Sequence, residues 1–599
     1  PTPFGSSILA LRLRPSLRPA HPSPPPRSSD GMGQGSSEPQ PDPDTASEGA
    51  ERPRTRTVTD TVVAVDEVIA QKGPIPVTSR YTTTRSLDSE YTVEAKVLGS
   101  GMSGPVQLAT GKADGRKYAV KSFKKKGLST RRRQELKSEV EVYLSLDHPH
   151  VARLVMVFES DEEIDLVMEF MAGGELYDRL SKHKRYTEEL AADTTYQMLL
   201  AVAYLHANQI AHRDLKLENF LYESKDTDYL KLIDFGFAKF WDRSTNMSQA
   251  CGSVHYVAPE VLRKSYNEKA DLWSIGVIVY MLLTGSPPFH GSDDEVLQKI
   301  KAGQPQFSQR FHRLSEPAID FVKALFVFNP ASRLSAQAAL EHPWVKGRSQ
   351  HKEAVIDTDI ILSLRNFAHS ASFKRAVLSM MAWSLSTEDR AELREQFLAL
   401  DTNKKGTITH NQMKQVLEDI FHVDCDEAEA LFQSLDINND NEIDYSEFLA
   451  AALQGRVKVH EDILRKTFHR FDHEERGLIT ADDLRQILGD HFEGINVGEL
   501  IQEVDTTGDG KIDYDEFLAY FHKHDESDDP ADTRGPVMSR HSEKKKTHVE
   551  KLALVIDQMI SSATEEETPD VNLSPKTPKP LCRKDSKAKT LPVLQRKDA

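Results

Sequence analysis

Residues 1–90 show neither helical nor alternating apolar spacing; Pro, Ser, Thr and Arg dominate, and the pattern predicts a disordered segment. From Tyr91 the chain changes character, with Val93, Val97, Val106 and Leu108 set among glycines as in short strands joined by tight turns. Apolar helical spacing dominates from about 190 to 345, and a linker stretch follows to about 385. Four further segments begin at Asp401, Asp436, Asp472 and Asp505, spaced by 35, 36 and 33 residues. Amphipathic patterns such as Phe397/Leu398/Leu400 and Phe517/Leu518/Phe521 flank them, the mark of an internal repeat. After 525 the composition returns to Ser, Thr, Lys and Pro, predicting a disordered tail with at most a short helix around Val549 to Ile560. The expectation is a multidomain α+β chain: a disordered region 1–90, a mixed domain 91–345, a junction 346–385, two helical lobes at 386–455 and 456–525, and a tail 526–599.

A length of 599 residues suits several domains, and 38% hydrophobic with 28% charged residues suits globular units joined by polar linkers. The longest apolar run, Ile275 to Leu283, has nine residues, short of the ~20 a membrane helix needs. The net charge of −17 is uneven, since residues 386–526 hold 34 Asp and Glu against 14 Lys and Arg. Such a block repels nucleic acid and attracts cations or basic peptides, so no nucleic-acid partner is expected. Three scattered cysteines (Cys251, Cys425, Cys582) lack metal-ligand spacing and fit a reducing, cytoplasmic setting. Initiation at Met32 would place Gly33 in an M-G-x-x-x-S myristoylation pattern, giving weak membrane association because one acyl chain binds with K on the order of 10⁴ M⁻¹. An internal Met-Gly in a linker is the plainer alternative, and the Arg- and Ser-bearing start also has the composition of a transit peptide.

Gly99-Ser100-Gly101-Met102-Ser103-Gly104-Pro105-Val106 spells G-x-G-x-x-G-x-V, where absent side chains let backbone N–H groups approach phosphate oxygens. Alone it would read as a plain hairpin. Tyr118-Ala119-Val120-Lys121 then ends an apolar run on a lysine suited to the α- and β-phosphates. Its expected carboxylate partner is Glu139, nine residues before His148-Pro149, with Glu141 as the fallback. His212-Arg213-Asp214-Leu215-Lys216-Leu217-Glu218-Asn219 follows, and Asp234-Phe235-Gly236 begins fifteen residues after Asn219. Phosphoryl transfer needs a carboxylate for the hydroxyl proton (Asp214), a cation on the γ-phosphate (Lys216) and oxygen ligands for Mg²⁺ (Asn219 and Asp234).

With these motifs in order, residues 91–345 resemble the eukaryotic protein kinases, which implies a bilobal fold using ATP and Mg²⁺. Within that resemblance, Ala258-Pro259-Glu260 matches the end of the activation segment and Asp271 to Gly276 the helix behind it. Arg333 matches the buried partner of Glu260. Lys216 after Asp214-Leu215 matches serine/threonine kinases, so protein Ser/Thr substrates are expected. Glu175 and Glu218 match acidic positions that hold arginine upstream of the target. Met168 corresponds to the residue gating the adenine pocket, and Glu169 to Met171 to the hinge whose backbone bonds adenine. Arg213 marks a kinase type often governed by activation-loop phosphate, with Ser244, Thr245 and Ser248 as candidates and Asp242 as a ready negative charge.

The four repeats read as EF-hand loops, whose oxygens at positions 1, 3, 5, 7 and 9 and a Glu at 12 suit Ca²⁺. The second supplies Asp436, Asn438, Asp440, Glu442 through its carbonyl, Asp444 and Glu447. The fourth supplies Asp505, Thr507, Asp509, Lys511 through its carbonyl, Asp513 and Glu516. Asn441 replaces the usual glycine at position six and tolerates the left-handed conformation. Lys405 and Gln412 disqualify the first loop from tight calcium binding. Arg476 and the short Asp483 leave the third weak or Mg²⁺-favouring. Isoleucines at position eight (Ile408, Ile443, Ile479, Ile512) predict strand bridges that pair the loops into two lobes of an all-α, calmodulin-like domain.

Between the halves lie Ile360, Ile361, Leu364, Phe367, Phe373, Val377, Met380, Met381 and Trp383, interspersed with Arg365, Lys374 and Arg375. This resembles a basic amphipathic target for an EF-hand groove, though the same spacing suits a helix packed on the kinase C-lobe. Kinase, junction and EF-hands in this order resemble the calcium-dependent protein kinases of plants and protists. That resemblance implies a junction that blocks the substrate site until calcium lets the EF lobes remove it. The rival reading is a non-catalytic calcium-responsive scaffold, against which Lys121, Asp214, Asn219 and Asp234 are all present.

Overall fold

The computed structural model describes residues 61–101, 104–348, 356–421, 423–453, 461–472 and 476–525. Gly33, the 549–560 segment and Cys582 lie outside the described residues. Alternating apolar residues build one six-stranded sheet from Tyr81–Thr82 (β1), Tyr91–Gly101 (β2), Gly104–Gly111 (β3), Lys117–Lys124 (β4), Leu154–Glu159 (β5) and Glu163–Glu169 (β6), ordered β1-β5-β6-β4-β3-β2. β1 runs parallel to β5, and the other neighbours are antiparallel. Below the sheet the chain is mainly helical. The helices Glu188–Ala207 and Lys269–Thr284 are buried on nearly every side, as their almost uninterrupted apolar residues require. The result is a small sheet lobe over a larger helical lobe.

The disorder expected over 1–90 does not hold for residues 61–90. Helices α1 (Val65–Lys72) and α2 (Pro74–Thr78) and strand β1 form an ordered strap. Val62, Val63, Val68, Ile75 and Val77 are buried in it. Its anchors lie far along the chain, which is why no local periodicity announces them. The Val62 N–H donates to Glu159, the Ala64 N–H to Glu141, and the buried Arg80 guanidinium to the Leu144 carbonyl. The strap thus packs behind α3 (Thr130–Ser145), whose N-terminus is capped by Ser129.

The junction likewise is no plain linker. Thr358–His369 (α4) and Ser372–Ala382 (α5) bury Ile360, Leu364, Phe367, Phe373, Val377, Met380 and Met381. These share one apolar core with Phe397, Phe432, Phe448, Phe468 and Phe517 of the helical region, not with the kinase C-lobe. Four helix–loop–helix units follow over 387–525. Ile408 pairs with Ile443 and Ile479 with Ile512 in two antiparallel bridges, joining the units as two pairs. No helix among the described residues is long and apolar enough to cross a membrane.

Candidate active site and calcium loops

The glycine-rich hairpin closes with Gly99 opposite Val106 and Gly101 opposite Gly104; residues 102–103 are outside the described set. Val106 in turn faces Lys121 across β3 and β4. Lys121 Nζ lies 2.6 Å from Glu139 Oε1 on α3 and 3.2 Å from Asp234 Oδ1. Glu141, the fallback, instead accepts the strap's Ala64 N–H. Burial opposes the Lys121 charge, but the carboxylates of Glu139 and Asp234 outweigh it and keep the amine protonated. Burial likewise opposes ionisation of Asp234, and the Lys121 ammonium holds its carboxyl below the ordinary range.

On the catalytic loop, Lys216 Nζ is 2.8 Å from Asp214 Oδ2, and the Ser253 hydroxyl donates to Asp214 Oδ1 at 2.9 Å. The Asn219 amide donates to the Asp214 carbonyl at 2.8 Å, while the Asn219 carbonyl accepts the Ile233 N–H at 2.9 Å. Buried Asp271 pins the loop from below, accepting the N–H groups of His212 and Arg213 and pairing with His206. Arg213 and Asp234 both hold positive φ, 68° and 61°, a strained backbone that these bonds maintain. Arg213 is held by the Phe237 carbonyl and the Tyr266 hydroxyl, whereas Asp242 turns to Ser244. Glu260 and Arg333 form a buried two-bond pair at 2.5 and 3.1 Å. Glu175 is pushed up to about 7 by burial and by the neighbouring Asp178 and Glu218, and burial also raises Glu218.

Met168 faces Ala119 and Leu154 across the sheet, and Met171 is buried. Glu169, expected to serve through its backbone, has a second role that its position in the motif does not reveal. Its buried carboxylate accepts two bonds from Lys231 at 2.8 and 2.9 Å, the Arg153 N–H at 2.6 Å, and one bond at 2.8 Å from Arg390. Despite its burial, Lys231 and Arg390 hold the carboxyl far below the ordinary range.

In the second EF loop, Asp436 accepts the N–H groups of Asp440 and Asn441. Glu447 accepts those of Ile437, Asn438 and Asp444. Asn441 takes φ 65°. Burial, then neighbouring carboxylates, raise Glu447 strongly; burial raises Asp436, and raises Asp444 to about 6. Such mutual repulsion fits a loop made for a divalent cation. In the fourth loop Asp505 accepts from Gly508 and Gly510, and Glu516 from Thr506, Thr507 and Asp513. Asp509 accepts the Lys511 N–H. Among the described residues no three acidic, His or Cys side chains already form a closed metal cage. The first loop satisfies itself, the Gln412 amide lying 3.5 Å from Asp401, and in the third Arg476 neutralises Asp483 at 3.0 Å.

Residues 91–345 match the protein kinase domain model, and residues 390–453 and 461–522 each match the EF-hand domain pair. Calcium-dependent protein kinase 11 of Oryza sativa subsp. japonica is 36% identical over 75% of this chain and 79% of its own length. Calcium-dependent protein kinase 34 of Arabidopsis thaliana is 35% identical over 78% and 90%. Calcium-dependent protein kinase 3 of Plasmodium berghei is 36% identical over 72% and 80%. This chain belongs to the calcium-dependent protein kinase family.

Several contacts of this kinase carry no motif. Arg390 and Arg394, on the first EF helix α6 (Thr387–Leu400), reach Glu169 and Glu223, the latter at 2.7 Å. Asp147, between α3 and β5, accepts the Ser446 N–H at the exit of the second EF loop. Trp383 at the end of the junction is stacked between the guanidinium groups of Arg80 and Arg153, at 3.8 and 4.2 Å. Among the described residues, the hydrogen-bond partners of Asp214 and Lys216 all belong to the kinase domain.

Proposed function

We propose that this calcium-dependent kinase transfers the γ-phosphate of ATP to Ser or Thr hydroxyls of proteins bearing upstream arginine, under control of four EF-hands of which the second and fourth bind Ca²⁺. One observation carries the chemistry. Lys121, Glu139, Asp234, Asn219, Asp214 and Lys216 come from four separate motifs and are brought together by direct contacts, the step from Asp234 to Asn219 running through the adjacent Ile233 N–H. Asp214 accepts the proton as the substrate oxygen bonds to Pγ and the bond from Pγ to the β-phosphate oxygen breaks, releasing ADP. Lys216 faces the moving phosphoryl group, and Lys121, held by Glu139, steadies the α- and β-phosphates. The backbone of Gly99, Gly101 and Gly104 covers the phosphates, Val106 packs on the adenine, and Glu169 and Met171 bond it. Asn219 and Asp234 would hold Mg²⁺, which neutralises charge on the phosphate oxygens when bound.

Glu175 and Glu218 are the docking groups for substrate arginine. Without calcium the junction covers the substrate face; with calcium the EF lobes keep it in their shared core, and the burial of Phe373 and Met380 there supports this division of labour. We place the kinase in the cytoplasm, with weak membrane attachment if Gly33 is exposed and acylated. Truncation after Lys346, assayed with calcium and with chelator, tests the control. A truncated kinase active under both conditions is expected, and one as silent without calcium as the full chain refutes junction inhibition.

A further inference from the structure

The two competent loops occupy different surroundings. Asp509 of the fourth is exposed and Asp505 half-buried, whereas the second is clasped from two sides, by the kinase domain and by the strap. On one side Asp147 takes the Ser446 N–H at 2.5 Å. On the other the strap lies directly on the loop. Lys72 Nζ is 3.4 and 3.3 Å from the two oxygens of Asp444, with the side chains only 14% and 6% exposed. The next residue, Gly73, has φ 78°, and a Cβ there would stand 3.2 Å from the Asn438 Cβ, so the strap backbone touches position three of the loop where a side chain would crowd it. Lys72 is therefore a cation fixed at position nine of a calcium loop by a segment tied to α3 on both sides of it, at Ala64 through Glu141 and at Arg80 through Leu144.

We propose that Lys72 is a tethered competitor of Ca²⁺ in the second EF loop, so that the ion and the strap share Asp444. This rests on the reading of that loop as a calcium site. An ammonium bonded to a carboxylate that Ca²⁺ needs, directly or through water, lowers the affinity of the loop. By reciprocity, the ion loosens the strap's grip by the same factor. Calcium at this one loop thereby bears on the segment packed behind the helix that carries Glu139.

Calorimetric Ca²⁺ titration of the full chain tests the proposal, in a Glu516→Gln background that silences the fourth loop. Lys72→Met is expected to tighten the remaining site by ~5–150-fold, the usual range for coupled ligands, while Lys72→Arg stays within threefold of the parent. Hydrogen exchange supplies a second readout: amides of residues 65–73 should exchange faster on adding Ca²⁺ in the parent and lose that response in Lys72→Met. Unchanged or weaker Ca²⁺ binding in Lys72→Met overturns the competitor role. A Glu516→Gln protein that binds no Ca²⁺ overturns the calcium reading of the second loop itself, and the proposal with it.

Discussion

Replacing Arg390 with Gln isolates the link between the calcium lobes and the kinase hinge. Arg390 gives Glu169 one charge-assisted bond of 2.8 Å, while Lys231 and the Arg153 N–H continue to satisfy the carboxylate. The loss is therefore that of one buried bond to a charged group, ~1.5–3 kcal/mol, and not the larger cost of an orphaned ion. At about 1.4 kcal/mol per factor of ten, docking of the EF region weakens by ~10–150-fold. If two bound calcium ions share that coupling equally, the half-activating Ca²⁺ concentration rises by ~3–12-fold. Phosphorylation of an Arg-containing Ser peptide, measured across a buffered calcium series, reads the shift directly. Arg390→Lys should recover part of it. A half-activating concentration unchanged within 1.5-fold in Arg390→Gln would show that this contact does not transmit the calcium signal.

Glu260 and Arg333 offer a stability cycle. Arg333→Met should cost ~3–5 kcal/mol and lower the thermal midpoint of the kinase half more than Glu260→Gln does, because Arg333 also serves the Val327 and Lys269 carbonyls; the double variant should fall short of the summed losses. The Glu175 carboxyl, raised to about 7, is ionised chiefly above that pH. KM for a peptide with upstream Arg should therefore fall as pH rises from 6 to 8, and Glu175→Gln should flatten that profile; a slope retained in the variant rules Glu175 out. The low carboxyl of Glu169 makes its pairs stabilising above the usual carboxylate range and progressively weaker as acid titrates toward its folded value. Acid unfolding followed by fluorescence should start at higher pH in Lys231→Met than in the native chain.

The residues around Asp214 can be picked from sequence because their chemistry demands fixed types at short spacing. Asp214, Lys216 and Asn219 fall within six residues, and Asp234 follows fifteen residues after Asn219. The EF loops are legible for the same reason, down to the arginine that would spoil the third. Glu139 and Glu141 cannot be separated by spacing alone; only the α3 register turns one toward Lys121 and the other toward Ala64. What stays hidden is long-range and polar. Arg390 meets Glu169 across 221 positions and Lys72 meets Asp444 across 372, and neither pair belongs to a periodic pattern. The strap hides similarly, since Val62, Val63 and Ile75 find their partners outside the segment. The junction shows its amphipathic face in sequence, yet the spacing leaves open which groove receives it. The shared core with Phe397 and Phe517 places it in the EF region.

The most direct measurement follows radiolabelled γ-phosphate from ATP into an Arg-containing Ser/Thr peptide, using the native chain and Asp214→Asn with Ca²⁺ or with chelator. Strong transfer by the native chain only with Ca²⁺ is expected, and a loss of ~10²–10⁴-fold in the variant. Equal transfer with and without the ion, or a variant as active as the native chain, would contradict that expectation.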